Sequence, residues 1–191
     1  MAMEERHLIA TYCRFRGDDE VNTFLTDYSK IFPKHVLNRI DKAKETYMRL
    51  YASHPDKEYI KITFFGHQAI EGLKKYATSI GLPEEKIELD SDCKNIAAMA
   101  KKIWERVRSS AVTPRVYFVV SNWQWIFLEP LTSIKNDHYK FYLEGALDER
   151  HPDEMDLDKK SEKVAKIDLK EGRIASILDK VGGSISSNLK G

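Results

Sequence analysis

Apolar positions along the 191-residue chain change period several times, and each change marks an element. Residues 7–15 (HLIATYCRF) are a short β-branched and aromatic run, read as a buried strand that stops at the turn Arg16-Gly17-Asp18-Asp19. Over 20–32 the rhythm becomes helical, at Val21, Phe24, Leu25, Tyr28 and Phe32. Pro33 interrupts it and suits the first turn of a second helix carrying Val36, Leu37, Ile40, Ala43, Tyr47, Leu50 and Tyr51. His54-Pro55-Asp56 closes that helix. A second strand over 59–65 precedes a helical stripe at Ala69, Ile70, Leu73, Tyr76, Ala77 and Ile80, with Gly81 placed as its C-cap. A short strand follows at 86–89, a polar turn at 90–95 and a helix with Ile96, Met99, Ala100, Ile103, Trp104 and Val107. Residues 115–120 are the most strand-like run; a short helix over 123–134 and a fifth strand at 139–143 complete the series.

Strands alternating with helices call for an α/β domain with a mainly parallel sheet covered on both faces. The spacing predicts one domain over 1–181, a terminal helix at 166–181 docked on it, and a flexible Gly/Ser-rich tail at 182–191. In such sheets ligands sit beyond the carboxyl ends of the strands. That rule gathers Arg14, Arg16, Gly17 and Asp18 from the first strand with Gly66, His67 and Gln68 from the second. Asp90, Asp92 and Asn95 join from the third, and Ser121, Asn122 and Gln124 from the fourth. Helix N-termini along this rim favour an anionic guest.

Composition narrows the function classes. Thirty-one basic residues against 30 acidic ones give a net charge of +1, without the basic excess of a duplex nucleic-acid binder. Two distant cysteines, Cys13 and Cys93, match no metal spacing and point to a reducing compartment rather than a disulfide scaffold. No signal peptide is visible and no uncharged apolar run reaches membrane-spanning length, so a cytoplasmic protein is expected, monomer or homodimer, with no membrane insertion. No phosphate-loop, dinucleotide, nucleophile-elbow or zinc motif is present.

The chemistry is therefore carried by single residues, each with a structural reading beside the functional one. Arg16 and Arg39, with backbone amides near Gly17, Gly66 and Asn95, are candidates to hold an anionic group; Arg39 is equally a surface ion-pair partner for Asp41. Ser121 and Asn122 extend that pocket or simply form a turn. Trp123 is a stacking wall for a ring or, as indoles more often are, part of the core. His67, with Glu71 four residues on, makes a candidate acid/base pair; the same spacing is common on helix surfaces. The acidic stretch 148–158 reads as a solvated loop, its His151, Asp153, Glu154 and Asp156 lacking a metal-site order.

Four blocks carry a family resemblance: Arg39, Ala43, Leu50 and Tyr51; ITFFGHQAIEGLKKYATSIGLPEEKIELD at 62–90; CKNIAAMA at 93–100; and VYFVVSN at 116–122. Together, over about residues 7–146, they resemble the YdcF/SanA/ElyC-like family. The resemblance implies a Rossmann-like three-layer sandwich with five strands in the order 3-2-1-4-5. It also implies a pocket above strands one, two and four, with S-adenosylmethionine or a nucleotide as the ligand by analogy. Several family positions differ. Gly17 is the one glycine of the first loop, Phe65-Gly66-His67 replaces Ser-Gly-Gly, and Asn95 alone survives from the third polar block. Ser121 is kept in the fourth, where Gln124 and Phe127 replace a His and an Arg. The expected function is binding of a small anionic or nucleotide-like ligand. The alternatives are a hydrolase or transferase acting through His67, and a non-catalytic interaction protein.

Overall fold

The computed structural model describes residues 6–15, 27–54, 57–67, 69–132, 140–156 and 158. Arg16, Gly17, the first part of the helix read over 20–32, the helix expected at 166–181 and the tail at 182–191 lie outside the described residues.

Five strands, β1 (His7–Tyr12), β2 (Ile60–Phe65), β3 (Ile87–Asp90), β4 (Arg115–Ser121) and β5 (Lys140–Ala146), pair in the order β3-β2-β1-β4-β5. All four pairings are parallel. The connections hold helices α1 (Tyr28–Ile31), α2 (Lys34–Ser53), α3 (Ile70–Ser79), α4 (Ile96–Ser109) and α5 (Glu129–Thr132), with a 3-10 turn, Asn122–Phe127, before α5. This is a Rossmann-like α/β fold.

The layers follow from alternation along the strands. Ile9, Ile62, Phe64 and Val119 face one side, where α2 and α3 bring Val36, Ile40, Ala43, Leu73 and Ala77. Leu8, Ala10, Val116 and Phe118 face the other, against Met99, Ala100 and Ile103 of α4 and Leu131 of α5. Each large side chain so removed from water contributes about 1.5–3 kcal/mol. Gly81 ends α3 with φ +101°, a left-handed conformation that favours glycine, and its N–H donates to the Thr78 carbonyl at 3.0 Å.

Three boundaries differ from the sequence reading by more than one residue, each for a physical reason. β1 ends at Tyr12, whose carbonyl, like that of Arg14, turns to a side-chain donor described below. The segment read as one helix over 123–134 begins as the 3-10 turn, with the Gln124 side chain accepting the Ser121 N–H at 2.9 Å. β5 runs on to Ala146, because Gly145 lets the strand pass beneath the side chains of Asn122 and Trp125. No helix among the described residues is long and apolar enough to cross a membrane.

A Cβ on Gly145 would sit 2.0 Å from Asn122 Oδ1 and 2.6 Å from Trp125 Cζ2. Gly145→Ala is expected to cost about 1–3 kcal/mol, read from the urea midpoint, and to shift the tryptophan emission as Trp125 is displaced.

Candidate functional site

Helices leave the sheet on opposite faces after β1 and after β3, so strand order reverses between β1 and β4. That is where an open α/β sheet presents a crevice. Here a side chain fills it. Arg39, on the inner face of α2, is 1% exposed. Its guanidinium donates to the carbonyls of Tyr12 at 2.9 Å and Arg14 at 3.1 Å, and through Nε to Ser121 Oγ at 3.1 Å. One cation thus ties the end of β1 to the end of β4. All three acceptors are neutral, and among the described residues Arg39 forms no ion pair with a carboxylate. Burial favours its uncharged form and lowers its pKa; the Tyr12 and Cys13 side chains and the more distant Asp148 carboxylate oppose that shift.

The open space lies beside this plug. A cleft of about 540 Å³ separates the first turn of α2 from the segment that follows β5. On the α2 side are Lys34, His35 and Asn38, behind Pro33, whose carbonyl accepts the N–H groups of Val36 and Leu37 at 2.9 and 3.2 Å. The 20-residue helix directs its positive dipole end here. On the other side are Glu149, Arg150, Glu154 and Asp158, the last two on a helical turn beginning at 152. Two contacts hold the walls together: Asn38 Nδ2 donates to the Leu147 carbonyl at 2.9 Å, and Lys34 pairs with Glu149. A second hollow of about 360 Å³ continues along Lys34, Asn38 and Glu149 to Ala146.

The stretch 148–158 is not a uniformly solvated loop. The Asp148 side chain is 2% exposed, accepting from Arg150 Nε at 2.9 Å, from a second Arg150 nitrogen at 2.8 Å and from Trp123 Nε1 at 2.9 Å. Burial pushes its carboxyl pKa up, but the bonds from Arg150 and Trp123 outweigh it and hold the group well below the usual carboxylate range. Arg150 also pairs with Asp158 at 2.6 Å. Opposite stands His35, 6% exposed, its Nε2 buried without a hydrogen-bond partner. Burial first, then the Arg39 and Arg150 charges, push the imidazole from 6.5 down to about 3, with Asp148 opposing. It is neutral in the fold.

The residues read from the sequence are distributed around this arrangement rather than lining it. Arg39 and Ser121 meet, as a structural tie. The Gly66 amide, expected to face an anion, donates instead to the Asp90 carbonyl at 3.0 Å. Asn95 caps α4, accepting the Ala98 N–H at 2.8 Å. His67 has Nδ1 3.3 Å from the Ser91 carbonyl oxygen, while Glu71 is exposed on α3; the loop, not the carboxylate, sets the ring. Asn122 is exposed over Gly145. Trp123 presents its N–H to Asp148 and its ring edge-on to Phe127, so it is not placed as an open stacking wall. The sequence reading missed Lys34, His35 and Asn38, hidden in an ordinary amphipathic helix, and Asp148, hidden in an acidic run. Among the described residues no group of three or more His, Cys, Asp or Glu side chains is placed to hold a metal ion.

Two outcomes follow from these bonds. Arg39→Lys keeps the charge but loses the fork that reaches three oxygens, and is expected to lower unfolding free energy by about 1–3 kcal/mol in denaturant titration. His35 binds a proton near pH 6.5 when unfolded and only near pH 3 when folded, so the unfolded state holds more protons between those values. Its contribution to stability is complete above about pH 6.5 and is lost as the pH falls toward 3. The slope reaches at most about 1.4 kcal/mol per pH unit. His35→Gln should flatten that slope between pH 6.5 and 4, above the range in which Asp148 adds its own loss.

In comparisons with known proteins, the chain matches no family model, no curated protein and no solved structure.

Proposed function

We propose that the protein binds a small anionic or nucleotide-like ligand at the carboxyl ends of β1, β4 and β5, in the cleft between the first turn of α2 and residues 147–158. One observation carries this reading. Behind the α2 wall lies a fully buried cation, Arg39, without a carboxylate partner among the described residues, one helical turn beyond a buried His35 whose Nε2 is unpartnered. Burying an unpaired charge is costly, and an anion beside it offsets part of that cost. The α2 dipole acts in the same direction. The outer rim supports a ligand with more than one kind of group: Lys34 exchanges readily from an exposed pair with Glu149, and the Glu149 and Glu154 carboxylates can accept from hydroxyl or amino groups. A nucleotide supplies both. The strand order is the one that the resemblance to the YdcF/SanA/ElyC-like family implies, and the analogy makes S-adenosylmethionine a compound to test.

A second reading, an interaction protein, is favoured by exposed apolar side chains: Trp125 at 40%, Ile126 at 49% and Leu147 at 56%. Hydrolysis or group transfer through His67 gains less support, because its ring is set by the Ser91 carbonyl, apart from the cleft residues.

A thermal-shift panel of adenine and uridine nucleotides, S-adenosylmethionine, sugar phosphates and inorganic phosphate tests the proposal. A saturable rise in Tm with a phosphate-bearing class is expected, since a ligand at a hundred times its Kd adds about 2.7 kcal/mol to the folded state. A protein that melts cooperatively and responds to none of them overturns small-ligand binding and leaves the interaction reading.

A further inference from the structure

We propose that His35 is the contact residue of the anion subsite, and that its imidazole takes up a proton as a doubly charged oxyanion, such as a terminal phosphate or a sulfate, enters the cleft. This rests on the reading of the cleft as an anion site and adds which group meets the anion and which charge state it selects.

The geometry sets His35 apart from the other polar groups of the cleft. It lines the wall at the N-terminal turn of a long helix, is more than nine-tenths buried, and holds Nε2 without a partner. A buried ring nitrogen left unbonded costs about 1–3 kcal/mol, which an oxyanion on this wall would relieve. The surrounding charges define what the anion meets. Lys34 and Arg39 stand on the same helix; Asp148, Glu149 and Arg150 on the segment facing it; and Glu154 and Asp158 on the following turn. The Tyr12 and Cys13 side chains lie behind, beside Arg39. Three of the four carboxylates are committed, Asp148 and Asp158 to Arg150 and Glu149 to Lys34. Arg39 lies behind the lining with no carboxylate on it among the described residues, while the lining itself carries Lys34 and Arg150 against Glu149, Glu154 and Asp158. Glu154 has no ion pair among the described residues and works against an anion.

Burial and two guanidinium groups keep the imidazole neutral. A dianion at hydrogen-bond distance reverses the balance, because two negative charges beside the ring oppose two positive charges farther off. Proton and ligand then arrive together. The solvent supplies the proton, the imidazole becomes a donor through both nitrogens, and no bond in the ligand is broken. A monoanion supplies half the attraction, so the site discriminates by charge state.

Isothermal titration with sodium sulfate between pH 6 and 8, in buffers of different ionisation enthalpy, tests this. Sulfate stays a dianion across that range, so any proton uptake belongs to the protein. Expected are net proton uptake on binding and a Kd that falls as the pH is lowered, by up to about tenfold per unit. In His35→Gln sulfate should bind more weakly with no pH slope, and in Glu154→Gln more tightly with the slope retained. Binding without proton uptake in the wild-type protein overturns the proposal, as does an unchanged slope in His35→Gln. If His35→Gln does not fold, the wild-type proton count and the Glu154→Gln slope decide. No sulfate binding at pH 6 also overturns it. A Tm response to nucleotides in that case leaves the ligand-binding reading standing, and silence to both removes it as well.

Discussion

The structure depends on how a positive charge is kept inside it. Arg39 is the largest fully buried side chain among the described residues, and its guanidinium joins two carbonyls at the end of β1 to the Ser121 hydroxyl as the sheet opens between β1 and β4. Neutral acceptors satisfy the directional needs of a guanidinium but leave its charge uncompensated. Strand ends, helix entry and the polar chain beyond β5 are all arranged around that residual charge. The Tyr12 ring lies 5.6 Å below the guanidinium carbon and adds a cation–π contribution. The Asp148 carboxylate supplies a longer-range counter-charge while its own bonds go to Arg150 and Trp123.

Filling the crevice with a side chain has a geometric consequence. In an open α/β sheet the space at the strand reversal usually takes the ligand. Here that space is spent on holding β1 to β4, and the accessible volume moves sideways, over β5 and the start of α2. The polar chain that follows β5 becomes a wall instead of a connector. Its bidentate Asp148–Arg150 pair is two residues long and fixes the local backbone, so the groups on the turn beyond it keep a defined relation to α2.

The elements were legible because the physics that makes them is local. The alternation in VYFVVS, the stripe from Ile96 to Val107 and the glycine after Ile80 each act over a few residues, and the structure places β4, α4 and the left-handed cap there. The site was legible only in part. The sequence pointed to the carboxyl ends of the strands, and Arg39 and Ser121 do lie there. It gave no means to know that Arg39 would spend its donors on backbone carbonyls, since those carbonyls exist as acceptors only once β1 has ended. Gly66, Asn95 and Trp123 carry polar groups that serve turns, caps and internal bonds as well as ligands. Their types alone do not choose. His35 looked like one more residue on an amphipathic helix, and Asp148 like one more carboxylate in an acidic run. Burial separates them from their neighbours, and burial is a property of the assembled fold.

The two walls of the cleft come from distant parts of the chain: 115 residues separate Lys34 from Glu149, and 109 separate Asn38 from Leu147. Contacts of such sequence separation pay their loop-closure entropy late, after the local elements and the central strands have formed. β5 is the last described strand to leave a ribosome, and until it pairs with β4 the α2 turn has nothing opposite it. Among the described elements the cleft is thus one of the last features to be completed during synthesis. A compound lodged there would bridge segments that lie 109 to 115 residues apart in the chain. It would act on the lifetime of the folded protein, slowing its unfolding, more than on the speed with which it folds.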